Sequence, residues 1–386
     1  MKKPIKFKPG DYKTWYNRGI ALKNTGKWAE AIRAEAHALS NAAFDKAIAS
    51  KTDYDQAWQN RGIALSDLGR FEEAIASYDM ALKFQPGNRE AWYYRGVALK
   101  NLGRLNDAIA SFDNAIVWKA NYYQAWNNRG VALKSLGRLQ DAIACFDKAI
   151  ESNSKYHQAW NNRGLILNEW KRFEEALTCF DKAIEFNPGD HKAWYNRGVT
   201  LGHLGRESEE ITSLDTALSI QPDYYLAWYN RGRALENLGR LEASLASYDK
   251  AIELKFDYYQ AWENRGYVLG SLGRHKEEIA CYDKVLQVHP NYHMVWNNRG
   301  IALMYLARFD EAIASYDKAI ALQPNYYPAW YSKACCYALQ DNVELAIKSL
   351  QEAIQLNPEK CIEAAKTDSY FGGIRKDERF QALLQN

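Results

Sequence analysis

The chain of 386 residues is too long for one compact core, and its 47% hydrophobic and 25% charged residues are ordinary for a soluble protein. A formal net charge of +3 is too small to point to nucleic acid or a membrane surface. Nine Pro suit a helical chain, whereas 26 Tyr and 13 Trp are an excess that needs a structural reason.

Residues 1–10 read as a basic N-terminal extension without the apolar run of a signal peptide. No later stretch approaches the roughly 18 apolar residues of a membrane helix, so the expected location is the cytoplasm. From residue 11 to 360 the chain repeats itself. Trp58, Trp92, Trp126, Trp160, Trp194, Trp228, Trp262, Trp296 and Trp330 are 34 residues apart, while Trp15 precedes Trp58 by 43. The nine extra residues of repeat one are placed at 33–41, and a helix carrying them should break near Ser40 and Asn41. Repeat positions are numbered here with this Trp as position 4.

In each repeat, positions 4, 8, 11 and 14 (Trp, Gly, Leu, Leu) fall on one stripe of a first helix. The Gly at position 8 is expected to admit a neighbouring backbone. Gly69, Gly103, Gly137, Gly205, Gly239 and Gly273 mark the end of that helix. Positions 20, 21, 24, 27 and 28 (Ala, Ile, Tyr or Phe, Ala, Ile) form the stripe of a second helix, stopped by Pro86, Pro188, Pro222, Pro290, Pro324 and Pro358. Beyond residue 360 the pattern changes. Glu359–Lys366 and Asp377–Leu384 read as helices separated at Phe371-Gly372-Gly373, so 361–386 is expected to cap the array.

The spacing of Trp, Gly, Ala, aromatic, Ala and Pro on a 34-residue period resembles the tetratricopeptide repeat over nearly the whole chain. The resemblance implies an all-α fold, an α-solenoid of about ten helix-turn-helix repeats in a right-handed superhelix whose first helices line a concave channel. It also implies binding of peptides or segments of other proteins. The chain departs from the family at position 7, where Leu is common and Arg stands here.

That Arg is present in nine repeats (Arg18, Arg61, Arg95, Arg129, Arg163, Arg197, Arg231, Arg265, Arg299), and position 25 is Asp in the same nine, from Asp45 and Asp79 to Asp317. A half-buried guanidinium needs a partner, so an Arg–Asp ladder is expected, with the fork gripping the carboxylate by two N–H groups. Repeat ten keeps a base, Lys333, but has Gln351 for the acid. This leans toward pairing the Asp of one repeat with the Arg of the next. Cys145, Cys179 and Cys281 share a position with Ser77, Ser111, Ser247 and Ser315, and so read as fillers of a small-residue slot, not as a disulfide framework.

Position 6 is the functional candidate: Asn17, Asn60, Asn128, Asn162, Asn196, Asn230, Asn264 and Asn298. The helical wheel turns it away from the core, and Asn is a mediocre helix former. Its amide can donate and accept, as an extended peptide backbone requires, and the family resemblance implies such a ladder gripping peptide. Tying neighbouring helices together remains the alternative role. Tyr16, Tyr93, Tyr195 and Tyr229 would add aromatic walls at position 5. Lys13, Lys23, Lys100 and Lys134, against Asp67 and Glu90, would make the early channel basic, Glu169, Glu236 and Glu263, with Arg233 among them, the middle acidic, and Met294, Ile301, Met304, Tyr305, Tyr331 and Leu339 the end apolar. A stripe of Arg at position 16 (Arg70, Arg104, Arg138, Arg172, Arg206, Arg240, Arg274, Arg308) offers a phosphate-binding edge or, with acids three residues on, mere local pairing.

No phosphate-binding Gly loop, Cys-x-x-Cys pair or helical His pair is present, so no cofactor, metal or catalytic set is expected. The leading expectation is a non-enzymatic scaffold or adaptor, monomeric or weakly self-associating, that binds an extended segment of another protein. The alternatives are a recognition subunit of a larger complex working through its outer surface, and, third, an RNA- or glycan-binding repeat protein.

Overall fold

The computed structural model describes residues 12–23 and 30–385, with residues 22, 23 and 30–38 described by backbone only. The described residues form helices and short turns, with no strand among them. The chain divides into two compact units that meet between Ala193 and Trp194.

The first unit contains α1 (Tyr12–Lys23), α2 (Glu30–Ser50), α3 (Asp55–Asp67), α4 (Phe71–Phe84), α5 (Arg89–Asn101), α6 (Leu105–Trp118), α7 (Tyr123–Ser135), α8 (Leu139–Ser152), α9 (His157–Glu169) and α10 (Phe173–Phe186), and α11 (His191–His203) starts at its end. The second continues with α12 (Glu207–Ile220), α13 (Tyr225–Asn237), α14 (Leu241–Leu254), α15 (Tyr259–Ser271), α16 (His275–Val288), α17 (His293–Tyr305), α18 (Phe309–Leu322), α19 (Tyr327–Leu339), α20 (Val343–Leu356), α21 (Pro358–Thr367), a 3-10 turn at Ser369–Phe371 and α22 (Glu378–Leu383). Odd-numbered helices up to α19 are the first helices of the repeats and even-numbered ones up to α20 the second helices. This is the expected all-α solenoid, seen in each unit by itself.

Each hairpin closes on its own apolar stripe. The aromatic ring at position 24 (Tyr78, Phe112, Phe146, Phe180, Tyr248, Tyr282, Tyr316) is fully buried. It explains the Gly at position 8 differently from the expectation. A Cβ on Gly62 would lie 2.5 Å from Tyr78 Cε1, and on Gly96 2.6 Å from Phe112 Cε1. The close neighbour is therefore an aromatic ring of the same repeat, not a backbone. The turn after the first helix needs a left-handed residue. Gly69 to Gly273 supply it with φ of 68–74°, and Lys171, Ala307 and Asp341 adopt it in the repeats without that Gly.

The expected break in repeat one is absent: α2 runs unbroken from Glu30 to Ser50. Its sequence before Ser40 is rich in Ala and Glu and contains neither Gly nor Pro, so the helix simply lengthens at its start. Ser40 then takes the buried position 20, its Oγ donating to Gly19 O at 2.8 Å, as Ser244 Oγ donates to Gly232 O at 2.8 Å. Phe44 and Asp45 return to register behind it.

Candidate functional site

The charged ladder sets repeat stacking. The Nε of Arg61, Arg95, Arg129 and Arg163 donates at 2.6–2.7 Å to Asp45, Asp79, Asp113 and Asp147 of the preceding repeat. Arg231, Arg265 and Arg299 repeat the contact in the second unit with Asp215, Asp249 and Asp283, and Lys333 does so with Asp317. The pairing is inter-repeat, but it is not the two-pronged grip expected. The other arm, Nη1, turns to position 23 of its own repeat: Ser77, Ser111, Cys145, Cys179, Ser213, Ser247, Cys281 or Ser315, at 2.6–3.1 Å. The small slot is thus a hydrogen-bond partner for Arg, which both a hydroxyl and a thiol satisfy. All six cysteines are free and buried. The guanidinium also lies 5.7–6.0 Å from the repeat Trp ring in Arg61, Arg95, Arg129, Arg231 and Arg299. That indole donates to a carbonyl six residues earlier, as in Trp92 to Pro86 O at 2.9 Å.

The first helices of successive repeats touch within each unit, and position 6 lies at this seam, less open than the wheel suggested. Asn60 and Asn230 are 9% and 8% exposed. Asn128, Asn162, Asn196, Asn264 and Asn298 are half-buried, and Asn17 is exposed. The amide nitrogen reaches back to position 5 of the preceding repeat. Asn60 Nδ2 donates to Tyr16 Oη at 3.2 Å, Asn128 to Tyr93 at 3.2 Å, Asn230 to Tyr195 at 3.1 Å and Asn264 to Tyr229 at 3.2 Å. Asn162 Nδ2 uses Asn127 Oδ1 instead, at 2.9 Å. In Asn60, Asn128 and Asn230 the second amide hydrogen goes to the carbonyl four residues back at 2.9–3.0 Å. An Asn amide has only two hydrogens, so at these three positions the amide has none left to donate, and the donor–acceptor pair anticipated is not available. Asn298 Oδ1 accepts from Asn297 Nδ2 at 3.4 Å.

The position-5 tyrosines are packing groups as well as walls. Tyr16, Tyr93, Tyr195 and Tyr229 pack at 4.9–5.3 Å, tilted or edge-on, against Tyr54, Tyr122, Tyr224 and Tyr258 at the repeat junctions. This accounts for much of the Tyr excess. Burial pushes the hydroxyls of Tyr93 and Tyr195 up to about 12.

Position 12 forms a second row beside the Asn seam, and it changes charge along the chain. Lys100 Nζ donates to Asn128 Oδ1 at 2.8 Å, and burial pulls its pKa down. Lys134 is half-buried at the same repeat position. The Lys23 side chain lies outside the described residues. In repeat seven the position is Glu236, which accepts from Tyr248 Oη at 2.7 Å. In repeats six and eight it is Gly202 and Gly270, and a carboxylate arrives from position 20 of the second helix. A Cβ on Gly202 would lie 2.5 Å from Glu210 Oε2, and on Gly270 2.7 Å from Glu278 Oε1. Glu278 also pairs with His275 Nδ1 at 2.8 Å. Burial raises all three carboxyls, Glu210 to about 7. Glu210 and Glu278 escaped the sequence reading, yet they carried a signal: Gly at position 12 and Glu at position 20 occur together in repeats six and eight.

At the far end, Tyr331 and Met304 are not open channel walls. Tyr331 donates to Asp368 Oδ2 at 3.0 Å and packs edge-on against Phe371 at 5.7 Å, beneath the C-terminal segment, and Met304 is buried. Met294, Tyr305 and Leu339 are exposed. In the first unit a polar cleft of about 500 Å³ opens along α1, α3 and α5, lined by Tyr16, Gln56, Gln59, Asn60, Asn88, Glu90 and Tyr94 among others. The position-16 arginines pair locally, as in Arg70–Glu73, Arg138–Asp141 and Arg308–Glu311 at 2.6 Å. No group of three His, Cys, Asp or Glu among the described residues could hold a metal ion. No described helix is long and apolar enough to cross a membrane.

Sequence models of the tetratricopeptide repeat match residues 16–89 and 60–125, 123–156 and 157–190, 179–212, 225–258 and 259–292, and 293–326 and 327–360. The protein prenyltransferase alpha subunit repeat matches 207–238, the second helix of repeat six and the first of repeat seven. No curated protein matches the chain. Among solved structures, YrrB, a tetratricopeptide repeat protein with an unusual peptide-binding site, is 28% identical, with 50% of this chain and 98% of YrrB covered and a TM-score of 0.41. MamA is 27% identical over 42% of this chain and 94% of its own, with a TM-score of 0.39. The Cut9–Hcn1 hetero-tetramer of the APC/C is 13% identical over 97% of this chain and 86% of that one, with a TM-score of 0.45.

Proposed function

The chain belongs to the tetratricopeptide repeat family, whose repeats are protein–protein interaction scaffolds, and we propose that it holds an extended segment of another protein against its first helices. The observation that carries this reading is the row of oriented asparagines. In Asn128 and Asn230 both amide hydrogens are committed inside the protein, which fixes the direction of Oδ1 at the seam between first helices. A fixed acceptor can take a backbone N–H whatever side chain follows it, at Asn128 through the lone pair that Lys100 Nζ leaves, and it loses little entropy on binding. The position-12 groups beside it would select among side chains. The candidate contacts are therefore Asn60, Asn128, Asn162, Asn196, Asn230, Asn264 and Asn298, with Lys100 and Lys134 alongside; Asn17, Lys23 and the tyrosines Tyr16, Tyr195 and Tyr229 complete the set.

Selection of a displayed library of unstructured dodecapeptides on the full chain tests this. Enriched peptides should lose about tenfold in affinity with Asn128→Ala or Asn230→Ala, the weight of one or two hydrogen bonds. Tyr93→Phe, which removes only the inner partner of Asn128, should cost less. Equal binding by wild type and both Ala variants would overturn the reading.

The outer-surface alternative has one observation in its favour. Val117 and Trp118, at the end of a second helix in the first unit, are 79% and 56% exposed. Loss of the enriched peptides with Trp118→Ser, and not with the Asn variants, would transfer the site there.

A further inference from the structure

Three consecutive repeats place a carboxylate in one kind of slot, between position 12 of the first helix and the side chain at position 24 of the second. Two of the three are satisfied. Glu236 accepts from Tyr248 Oη at 2.7 Å, and Glu278 has His275 Nδ1 at 2.8 Å. The third is not. Glu210 is 6% exposed, and among the described residues no side-chain hydrogen bond or ion pair reaches its carboxylate. The reason lies in the sequence. Position 24 is Leu214 in this repeat, so the ring hydroxyl available to Glu236 is missing. The charges that act on Glu210 are Arg233 on α13, which favours its ionised form, and Glu207 on its own helix, which opposes it. Arg233 is itself exposed and makes no ion pair with Glu210.

The carboxylate is also aimed. Its oxygens lie 2.5 and 2.9 Å from the point where Gly202 would carry a Cβ, so Glu210 passes through its hairpin and emerges at a first-helix position. Position 12 adjoins the asparagine seam, as Lys100 shows by reaching Asn128 Oδ1. Other repeats fill position 20 with Ala74, Ala108, Ala142, Ala176, Ala312 and Ala346, and Glu stands there where position 12 is Gly, so the Glu210 side chain takes the space that Gly202 leaves. A largely buried carboxylate without a side-chain donor is unfavourable when ionised, and an ammonium or guanidinium would supply several donors at once.

We propose that Glu210 receives a lysine or arginine side chain of the segment bound along the first helices of the second unit. This rests on the segment-binding function proposed above and specifies one residue of the segment. The test uses the same displayed dodecapeptides on the full chain, wild type beside Glu210→Gln and Glu210→Ala. The Gln variant keeps shape without charge. The Ala variant removes the carboxylate altogether, and circular dichroism shows which of the two variants keeps the fold. Wild type should enrich peptides with Lys or Arg at one position, and replacing that residue by norleucine should weaken binding about tenfold or more. Both Glu210 variants should abolish this difference while still binding the norleucine peptide. Enrichment without a basic position, or a basic preference that survives both variants, overturns the assignment and leaves segment binding standing. No enrichment on wild type overturns both.

Discussion

Repeats three and four of the first unit and repeats six to eight of the second differ at one slot, and the difference separates what the repeat must keep from what it can vary. In the first unit position 12 is filled by Lys100 and Lys134, and Lys100 is anchored on the asparagine of the next repeat. In the second the same position presents Glu236, or a Gly through which Glu210 and Glu278 arrive from the other helix. The hairpin is the same in both, with the position-24 side chain against Gly at position 8 and the Arg–Asp ladder behind it. Opposite charges can therefore occupy one backbone position without a change of fold, Lys100 held by Asn128 Oδ1 and Glu236 by Tyr248 Oη.

Moving one arrangement into the other unit tests this. Lys100→Glu would aim a carboxylate at Asn128 Oδ1, acceptor against acceptor, beside Phe112, which has no hydroxyl. We expect a loss of about 2 kcal/mol. Adding Phe112→Tyr supplies the donor that Tyr248 gives Glu236, and the double variant should recover about 1 kcal/mol more than additivity predicts. Urea unfolding of the four proteins measures the coupling. A coupling of zero would mean that the slots are not equivalent.

The two slots should also respond to pH in opposite ways. The Glu210 pKa is raised to about 7, so the folded state holds a proton that the unfolded chain releases near pH 4.5. Its contribution is greatest below the unfolded value and is lost as pH rises to about 7. Glu210→Gln should thus come close to wild type in Tm at pH 4 and exceed it at pH 8. Lys100 is displaced downward by burial. Its folded form binds protons less well than the unfolded one, so it penalises stability at neutral pH and the penalty fades as pH approaches 10.5. Lys100→Met should accordingly gain less over wild type at pH 10 than at pH 7. Thermal melts of both variants across this range check both signs.

Periodicity made the hairpins legible, since the stripes of positions 4, 8, 11, 14 and 20, 21, 24, 27, 28 are local and occur in successive copies. The ladder was legible through chemistry: an Arg at the core edge required an acid, and Lys333 without an acidic Gln351 suggested which repeat supplied it. What the sequence hid was three-dimensional. A helical wheel sees one helix at a time, so it turned position 6 outward, whereas the neighbouring repeat covers Asn60 and Asn230. Glu210 lies on the second helix, and a wheel of that helix alone does not show which first-helix position its side chain reaches. Only the hairpin shows that its carboxylate serves the first helix. The lengthened α2 was misplaced because Ser40 and Asn41 look like helix breakers in isolation, and Ser40 has an acceptor in Gly19 O.

Asn128 and Asn264 should behave alike if the seam is common to both units. Tyr93→Phe and Tyr229→Phe each remove a hydroxyl that accepts from an asparagine at 3.2 Å. Each should cost about 1 kcal/mol, read from urea unfolding. Unequal costs would show that the seam itself, and not only the slot beside it, differs between the units.

The smallest effect is expected at position 16, where the units do not differ. Arg138 and Arg308 lie at exposed turns and close on Asp141 and Glu311 three residues on, at 2.6 Å. Exposed pairs of this kind contribute little to stability and are screened by salt. Arg138→Ala and Arg308→Ala should leave Tm and affinity for the enriched dodecapeptides unchanged, at low salt as well as at physiological ionic strength. A loss of binding in either variant that salt reproduces in wild type would place the ligand on the turn edge. The Lys and Glu slots would then be two ways of stabilising a hairpin and would carry no specificity.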